Sequence, residues 1–224
     1  MEIYEEFQPW GKTFHEVTKD SYTSFNTTIQ KVELITNPTY GRMLFLDGVL
    51  QSATADEEIY HKALVSHGIN SKTSRVLIAG GAEGATAREV LKYPTVNHVQ
   101  MIDWDSHLVG HLRDTEQMNE NIWKDPRFHY SGKDIILFCE ETTQEFDTIY
   151  IDLLDIDSEE DKVNMNRILN WLKMVTTPTT ILVMNVGRSK TTALEYAKEK
   201  GEVIEIHVPS FQEPWYLVKF QFTS

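Results

Sequence analysis

The pattern of hydrophobic and polar positions changes period once along the chain, near residues 52–58. Before that point, apolar and polar residues alternate over short stretches bounded by turn residues. Thr27 to Ile35 (TTIQKVELI) alternates, and Asn37-Pro38-Thr39-Tyr40-Gly41 turns the chain. Met43 to Phe45 resumes an apolar run, and Leu46-Asp47-Gly48 turns again into Val49-Leu50-Gln51. Period-two alternation between such turns predicts an antiparallel meander of roughly three to five strands. A sheet that small is marginal alone and is expected to pack on a larger unit or on a second subunit.

Beyond the change, short apolar runs alternate with segments of helical period. Asp56 to Val65 has acidic residues in its first turn, apolar positions at helical spacing and Gly68 past its end. Strands are predicted at Arg75–Ala79, His98–Ile102, Phe128–Tyr130, Phe146–Ile151, Thr180–Met184, Val203–Val208 and Trp215–Phe222. Helices are predicted at Thr86–Lys92, His107–Asn119, Asn164–Met174 and Lys190–Lys200, with Asp157–Asp161 left as a solvated acidic stretch. Strands separated by helix-length crossovers imply an α/β fold with a doubly wound, mostly parallel sheet. The division expected is an N-terminal β domain over 1–54 and a larger domain over 55–224.

Composition narrows the class. With 224 residues, 41% hydrophobic, the chain is long enough for one sizeable core and a small accessory unit. No run reaches the roughly 18 apolar residues of a bilayer span, and the acidic start lacks the order of a signal peptide. The single cysteine, Cys139, lies in an apolar run and fits the core of a protein from a reducing, cytoplasmic setting. A net charge of −13 repels phosphate backbones, so nucleic acid is not expected as a partner, and a cationic substrate is consistent with it. Solubility alone also accounts for that charge.

Candidate chemistry follows from what stands after each strand, because ligands of open α/β sheets sit outside the carboxyl ends of the strands. After Val76–Ala79 comes Gly80-Gly81-Ala82-Glu83-Gly84-Ala85, small residues that let a backbone and a helix N-terminus approach a ligand. Asp103 follows the next strand, nineteen residues beyond Gly84, where a carboxylate can accept both hydroxyls of a ribose. The G-x-G-x-x-G fingerprint is absent, and Glu83 would repel a pyrophosphate. An acidic loop instead suits a nucleoside bearing a sulfonium and an amine. Asp152 and Asp155 end a buried-type strand, where together they can hold an alkylammonium ion and take its proton. Trp104, beside Asp103, suits either an adenine face or the core. The five tryptophans, Trp10 among them, form no stripe. No Cys/His cluster suggests a structural zinc site, and no metal is expected.

These blocks, in this order, resemble the polyamine aminopropyltransferases, the spermidine synthase family. The resemblance rests on Leu46-Asp47-Gly48-Val49-Leu50-Gln51, Asp56-Glu57-x-Ile59-Tyr60-His61, Ile78-x-Gly80-Gly81-x-x-Gly84, Asp125-Pro126-Arg127 and Phe146-Asp147-x-Ile149-x-x-Asp152-x-x-Asp155. It implies a Rossmann-like sheet of the class I methyltransferase type. It further implies transfer of an aminopropyl group from decarboxylated S-adenosylmethionine, as co-substrate, to putrescine, giving spermidine and methylthioadenosine. By the same resemblance, Gln30, Gly80, Gly81, Glu83, Asp103, Trp104 and Asp134 would contact the donor, Asp134 through its adenine. Asp152 would be the base. Asp155, Tyr60, His61, Gln51, Glu83 and Phe211 would line the amine channel, and the enzyme would be a homodimer.

The chain departs from the family pattern at named places. The G-G-G-D-G-G loop reads Gly80-Gly81-Ala82-Glu83-Gly84-Ala85, Ile135 replaces a glycine, and Ile156-Asp157-Ser158-Glu159 replaces a P-x-G-P segment. Asp103 stands where the family usually has a glutamate, Asn185 replaces a glutamine, and Phe211 replaces the tyrosine of a late P-[ST]-Y. Two other readings remain at this level: a methyltransferase on the same sheet, lacking the N-P-P-[YF] signature, and a binding module that has lost turnover.

Overall fold

The computed structural model describes residues 2–8, 11–198 and 201–222. Trp10 and the last two residues of the helix predicted over Lys190–Lys200 lie outside them. The chain opens with an antiparallel hairpin, β1 (Glu2–Gln8) and β2 (Gly11–Val17). A four-stranded antiparallel sheet follows, β3 (Thr23–Asn26), β4 (Lys31–Asn37), β5 (Gly41–Leu46) and β6 (Val49–Ala53), paired in chain order. The expected meander is therefore present, with a separate hairpin before it.

Residues 32–35 of β4 are buried on both sides because the small sheet is covered twice. One face, with Ile35, Met43 and Phe45, packs against Val17 and Tyr4 of the hairpin. The other, with Val32, Leu34 and Leu44, packs against Leu108 and Leu112 of a helix of the larger unit. The buried Glu33 on β4 is satisfied by the Tyr4 and Tyr22 hydroxyls and by Lys31 Nζ, at 3.0, 2.7 and 2.8 Å.

The larger unit runs α1 (Glu57–Ser66), β7 (Arg75–Gly80), α2 (Ala85–Leu91), β8 (His98–Ile102), α3 (Ser106–Asp114), β9 (Phe128–Ser131) and α4 (Ile135–Glu141). It continues with β10 (Phe146–Asp152), α5 (Glu159–Leu172), β11 (Thr176–Gly187), α6 (Lys190–Ala197), β12 (Glu202–His207) and β13 (Pro214–Gln221). Seven strands form one sheet in the order β12-β13-β11-β10-β7-β8-β9, with β13 antiparallel to its neighbours. This is the doubly wound, mostly parallel sheet that the sequence pattern predicts. Apolar residues alternate between its two faces: Val76, Ile78 and Tyr150 meet α1 and α2, while Leu77, Ala79 and Ile149 belong to the core built with α4, α5 and α6.

Four local predictions need correction. Thr27–Gln30 is a turn, because the Thr27 hydroxyl takes the Ile29 and Gln30 amides at 3.0 and 3.1 Å and itself donates to Asp105. The helix expected to reach Asn119 stops at Asp114; Asn119 sits at φ +51°, held by Arg88 at 2.8 Å and donating to the Glu83 carbonyl at 2.7 Å. The run Ile135–Cys139, read only as core, is the helix α4, capped by Asp134, which accepts from the Ile136 and Leu137 amides. A short apolar run does not by itself tell a helix from a strand. Lastly, α5 begins five residues earlier than predicted, because Ser158 and Asp161 form a capping box and the acidic run becomes a first turn facing the positive helix end. Cys139 is buried, and burial pushes its thiol up to about 12.

The chain leaves β7 for β8 and β9 on one side and returns to β10 on the other, so a crevice opens between the carboxyl ends of β7 and β10. Gly80 closes the base of this crevice at φ +87°, where a Cβ would lie 2.0 Å from the Asp152 carbonyl oxygen. Gly80→Ala therefore combines left-handed strain with a backbone clash. It is expected to cost about 2–4 kcal/mol of stability by urea denaturation; a loss below about 1 kcal/mol would contradict the close approach.

Candidate active site

Every strand end at the crevice delivers a polar group. Gly80 and Gly81 end β7, Asp103 and Trp104 follow β8, Asp152 and Asp155 follow β10, and Asn185 lies near the end of β11. The small sheet closes the other side with Gln30, Leu46, Leu50 and Gln51, and Tyr60 and His61 project from α1. Phe211 and Trp215 complete the wall. One cavity of about 150 Å³ thus gathers all of the predicted site residues except Asp134. None of its lining residues is Lys or Arg.

Asp152 is fixed by two hydroxyls: Tyr60 donates to Oδ1 at 2.7 Å and Thr86 to Oδ2 at 2.8 Å. Burial, reinforced by the Asp152 charge, holds the Tyr60 phenol well above its ordinary value, so it remains a donor. Asp155 accepts from Asn185 Nδ2 at 2.9 Å, and burial pushes it up to about 6 against that hydrogen bond. Asn185 is itself oriented, since its Oδ1 accepts from Trp215 Nε1 at 2.7 Å and from the Gly187 amide at 3.0 Å.

Glu83 accepts from Ser52 Oγ at 2.7 Å, and burial raises its carboxyl from the ordinary value. His61 Nε2 stands 4.0 Å from Glu83 and 3.9 Å from Asp152, while its Nδ1 meets Glu57 at 2.7 Å. Burial alone would lower the His61 value; the bond to Glu57 and the charges of Asp152 and Glu83 outweigh it, and the net shift is upward. Glu57 is drawn down to about 2: burial opposes the shift, but hydrogen bonds from His61 and Arg88 override it. His61 and Arg88 thus meet Glu57 behind the cavity and offset only part of the cluster's negative charge.

Ligand atoms of Glu57, His61 and Glu83 lie within 4.8 Å of one another, a separation a metal ion can bridge. Arg88 already occupies both oxygens of Glu57, at 2.7 and 3.0 Å, and supplies the positive charge there. Against the expectation of no H-x-x-x-H spacing, His107 and His111 form such an i, i+4 pair on α3. Both rings lie against Phe25, at centroid distances of 5.5 and 4.3 Å.

Asp103 accepts from the Asp105 amide at 2.9 Å. Burial, with the charges of Asp105 and Asp152, pushes it up to about 6. Gln30 donates to Asp105 at 3.0 Å, which holds it at the cavity mouth. Trp104 is 57% exposed, which removes the core alternative. Asp134 caps α4 and lines a neighbouring cavity, which shares Gln30, Trp104 and Leu153 with the first. Gln51 is exposed and donates to the Val49 carbonyl at 3.2 Å. Three contributors carried no signal in sequence: Ser52 on the inner side of β6, Thr86 in the first turn of α2, and Trp215 on the returning strand.

The family model described as the spermine/spermidine synthase domain matches residues 54–211. The chain belongs to the spermine/spermidine synthase family. A second model of that family, described as the spermidine synthase tetramerisation domain, matches residues 24–54. A polyamine aminopropyltransferase from a Synechococcus strain is 36% identical over 160 residues, covering 68% of this chain and 51% of that protein. One from Sulfurisphaera tokodaii is 35% identical over 144 residues, covering 63% and 48%. Polyamine aminopropyltransferase 1 of Hyperthermus butylicus is 30% identical across 100% of this chain and 81% of its own length. The chain thus spans about half the length of the first two relatives. In fold, a spermidine synthase solved with the transition-state analogue AdoDATO superposes with a TM-score of 0.86 at 19% identity, over 98% of this chain and 80% of that one. The spermidine synthase of Thermotoga maritima gives 0.82 at 20% identity, over 98% and 79%.

The raised carboxyls give this family member a signed pH dependence. A carboxyl whose folded value lies above its unfolded one costs stability once it ionises, so Asp103 and Asp155 penalise the empty fold progressively from about pH 4 to pH 6 and fully above. The unfolding midpoint of the ligand-free protein is expected to rise as pH falls from 7 towards 5. Replacing both with Asn should flatten that rise; an equally steep rise in the double variant would show that these two groups do not carry it.

Proposed function

We propose that this chain is a polyamine aminopropyltransferase, moving the aminopropyl group of decarboxylated S-adenosylmethionine to putrescine to give spermidine and methylthioadenosine. The observation that supports this most directly is the convergence of Glu83, Asp103, Asp152 and Asp155 on one cavity lined by no Lys or Arg. Such a cavity favours ligands with several positive charges, which the sulfonium donor and the diamine both carry.

In this reading, Asp103 and Gln30 hold the ribose, Trp104 and Asp134 flank the adenine across the shared wall, and the Gly80-Gly81 backbone lies beside the sulfonium. Glu83 holds the donor's amine. Asp155 and Asp152 receive the acceptor's ammonium, with Tyr60, His61, Gln51 and Phe211 lining its path. Asp152 takes the proton, and the freed nitrogen lone pair attacks the carbon next to sulfur. A C–N bond forms, the C–S bond breaks, and its electrons neutralise the sulfonium. The gain comes from alignment and from carboxylates that stabilise the ammonium charge developing on nitrogen.

The reading divides the chain into a β domain over 1–54 and a catalytic domain over 55–224. It further assigns the protein to the cytoplasm as a homodimer. None of the helices among the described residues is long and apolar enough to cross a membrane. Phe211 packs on Trp215 at 4.5 Å and offers no hydroxyl to the amine, which keeps a binding-only protein as the competing outcome.

Release of methylthioadenosine from the donor with putrescine would support transfer. Saturable binding of the donor without release would favour the binding-only outcome, and a methylated product from S-adenosylmethionine would overturn both. Asp152→Asn is expected to lower kcat about 10²–10⁴-fold with donor affinity retained, and unchanged turnover would remove Asp152 from the base role. Light scattering at micromolar concentration should give twice the chain mass; a monomer or a tetramer would correct the dimer.

A further inference from the structure

One ring nitrogen of His61 makes no hydrogen bond among the described residues, and it faces the cleft. Nδ1 lies 2.7 Å from Glu57 Oε2 and 2.8 Å from the Glu57 carbonyl oxygen. Both oxygens only accept, so Nδ1 carries a proton, and the neutral ring presents its lone pair on Nε2. Nε2 stands 3.9 Å from Asp152 Oδ2 and 4.0 Å from Glu83 Oε1, at the wall of the main cavity. The ring is fixed in that direction. Glu57 and His61 are four residues apart on one face of α1, and Arg88 holds both oxygens of Glu57, at 2.7 and 3.0 Å.

The amine-transfer chemistry has a use for such a nitrogen. An acceptor that enters as an ammonium ion must lose one proton before its nitrogen can attack. Both oxygens of Asp152 already accept a hydroxyl, from Tyr60 at 2.7 Å and from Thr86 at 2.8 Å. An ordinary imidazole is also a stronger base than an ordinary aspartate by about two to three pH units. A proton passed on to the imidazole leaves more of the bound amine in its nucleophilic form. The groups around the ring make it more basic still. Glu57 on α1, Asp152 at the end of β10 and Glu83 in the loop after β7 outweigh burial and raise it. The Tyr60 ring stands edge-on at 4.9 Å as a neutral donor, and Arg88 of α2 meets Glu57.

We propose that His61 is a further catalytic base of the transfer, the station that receives the acceptor's proton from Asp152. This rests on the aminopropyl-transfer reading and keeps its chemistry. The proton moves from the ammonium to Asp152 and on to Nε2, across one water or after the ring closes on the loaded site, as contacts that are long in ligand-free enzymes tighten in the complex. The freed lone pair forms the C–N bond, and the C–S bond breaks with its electrons passing to sulfur. The product leaves as a secondary ammonium ion beside methylthioadenosine, and the imidazolium returns its proton to water. Cationic ligands offset the same carboxylates that raise the ring, so loading brings it down to the neutral form that can accept.

The test follows single-turnover formation of methylthioadenosine by the whole chain, from decarboxylated S-adenosylmethionine and putrescine, as a function of pH. The wild-type rate is expected to fall on acidification as His61 becomes protonated. His61→Gln cannot take a proton and should lower the rate about 10²-fold with donor affinity retained. Its acidic limb should also move to lower pH, because a carboxylate is then the base that remains. Asp103 and Asp155 are the same in both proteins, so the displacement reports His61. An unchanged rate, or a slower rate with an unmoved limb, overturns the relay and leaves aminopropyl transfer standing. A wild type that releases no methylthioadenosine with putrescine overturns the transfer reading, and the relay with it. Should His61→Gln fail to fold, the His61 ring of the wild type decides, titrated by NMR with and without methylthioadenosine and putrescine. Its midpoint is expected to fall on loading, and a midpoint that stays or rises overturns the relay.

Discussion

Four carboxylates confined to one buried cleft repel one another, and the rest of the site is arranged around that repulsion. Each is held by a fixed donor: Ser52 for Glu83, the Asp105 amide for Asp103, Tyr60 and Thr86 for Asp152, and Asn185 for Asp155. These donors fix geometry without cancelling charge, and burial accordingly raises Glu83, Asp103 and Asp155. His61 is set into the cleft wall and oriented from behind by Glu57, which Arg88 holds in turn. An empty cleft of this kind stores electrostatic cost that a cationic ligand relieves, so binding and folding stability are coupled through the same residues.

The small sheet matters to the site because it is anchored on the large unit through Asp105, Glu116 and an apolar face. Asp105 caps α3 through the Leu108 amide at 3.0 Å and, with its other oxygen, takes Thr27 Oγ1 at 2.7 Å and Gln30 Nε2 at 3.0 Å. Arg42 adds a two-pronged contact to Glu116, at 2.8 and 2.9 Å, from β5. The apolar face of the sheet then packs on Leu108 and Leu112. This docking brings Gln30, Leu50 and Gln51 to the cleft and Ser52 to Glu83.

Two of the departures from the family pattern, Asn185 and Phe211, meet on one side of the cleft. Asn185 and Phe211 belong to a single packed group with Trp215, in which the indole N–H donates to the asparagine and the phenyl ring lies against the indole. Arg188 stacks over the other component of that group, the Trp215 ring.

The order and type of most elements was legible in the sequence because their causes are local. The apolar runs Val76–Ala79 and Ile149–Ile151 are long enough to be central strands, and the Asp47-Gly48 turn reverses β5 into β6. The strand-end residues Gly80, Asp103, Asp152 and Asp155 were legible for a related reason: an open α/β sheet collects its ligands at those ends. Three things were decided only in three dimensions. Thr27–Gln30 became a turn because Asp105, far along the chain, offers it an acceptor. Asp134 became a helix cap outside the main cavity. Ser52 and Thr86 hold site carboxylates and Trp215 walls the cavity, from residue types that carry no pattern of their own. Sequence period fixes which face a side chain takes within its own element; which elements face each other, and hence which charges share a cleft, depends on docking contacts between residues distant in the chain.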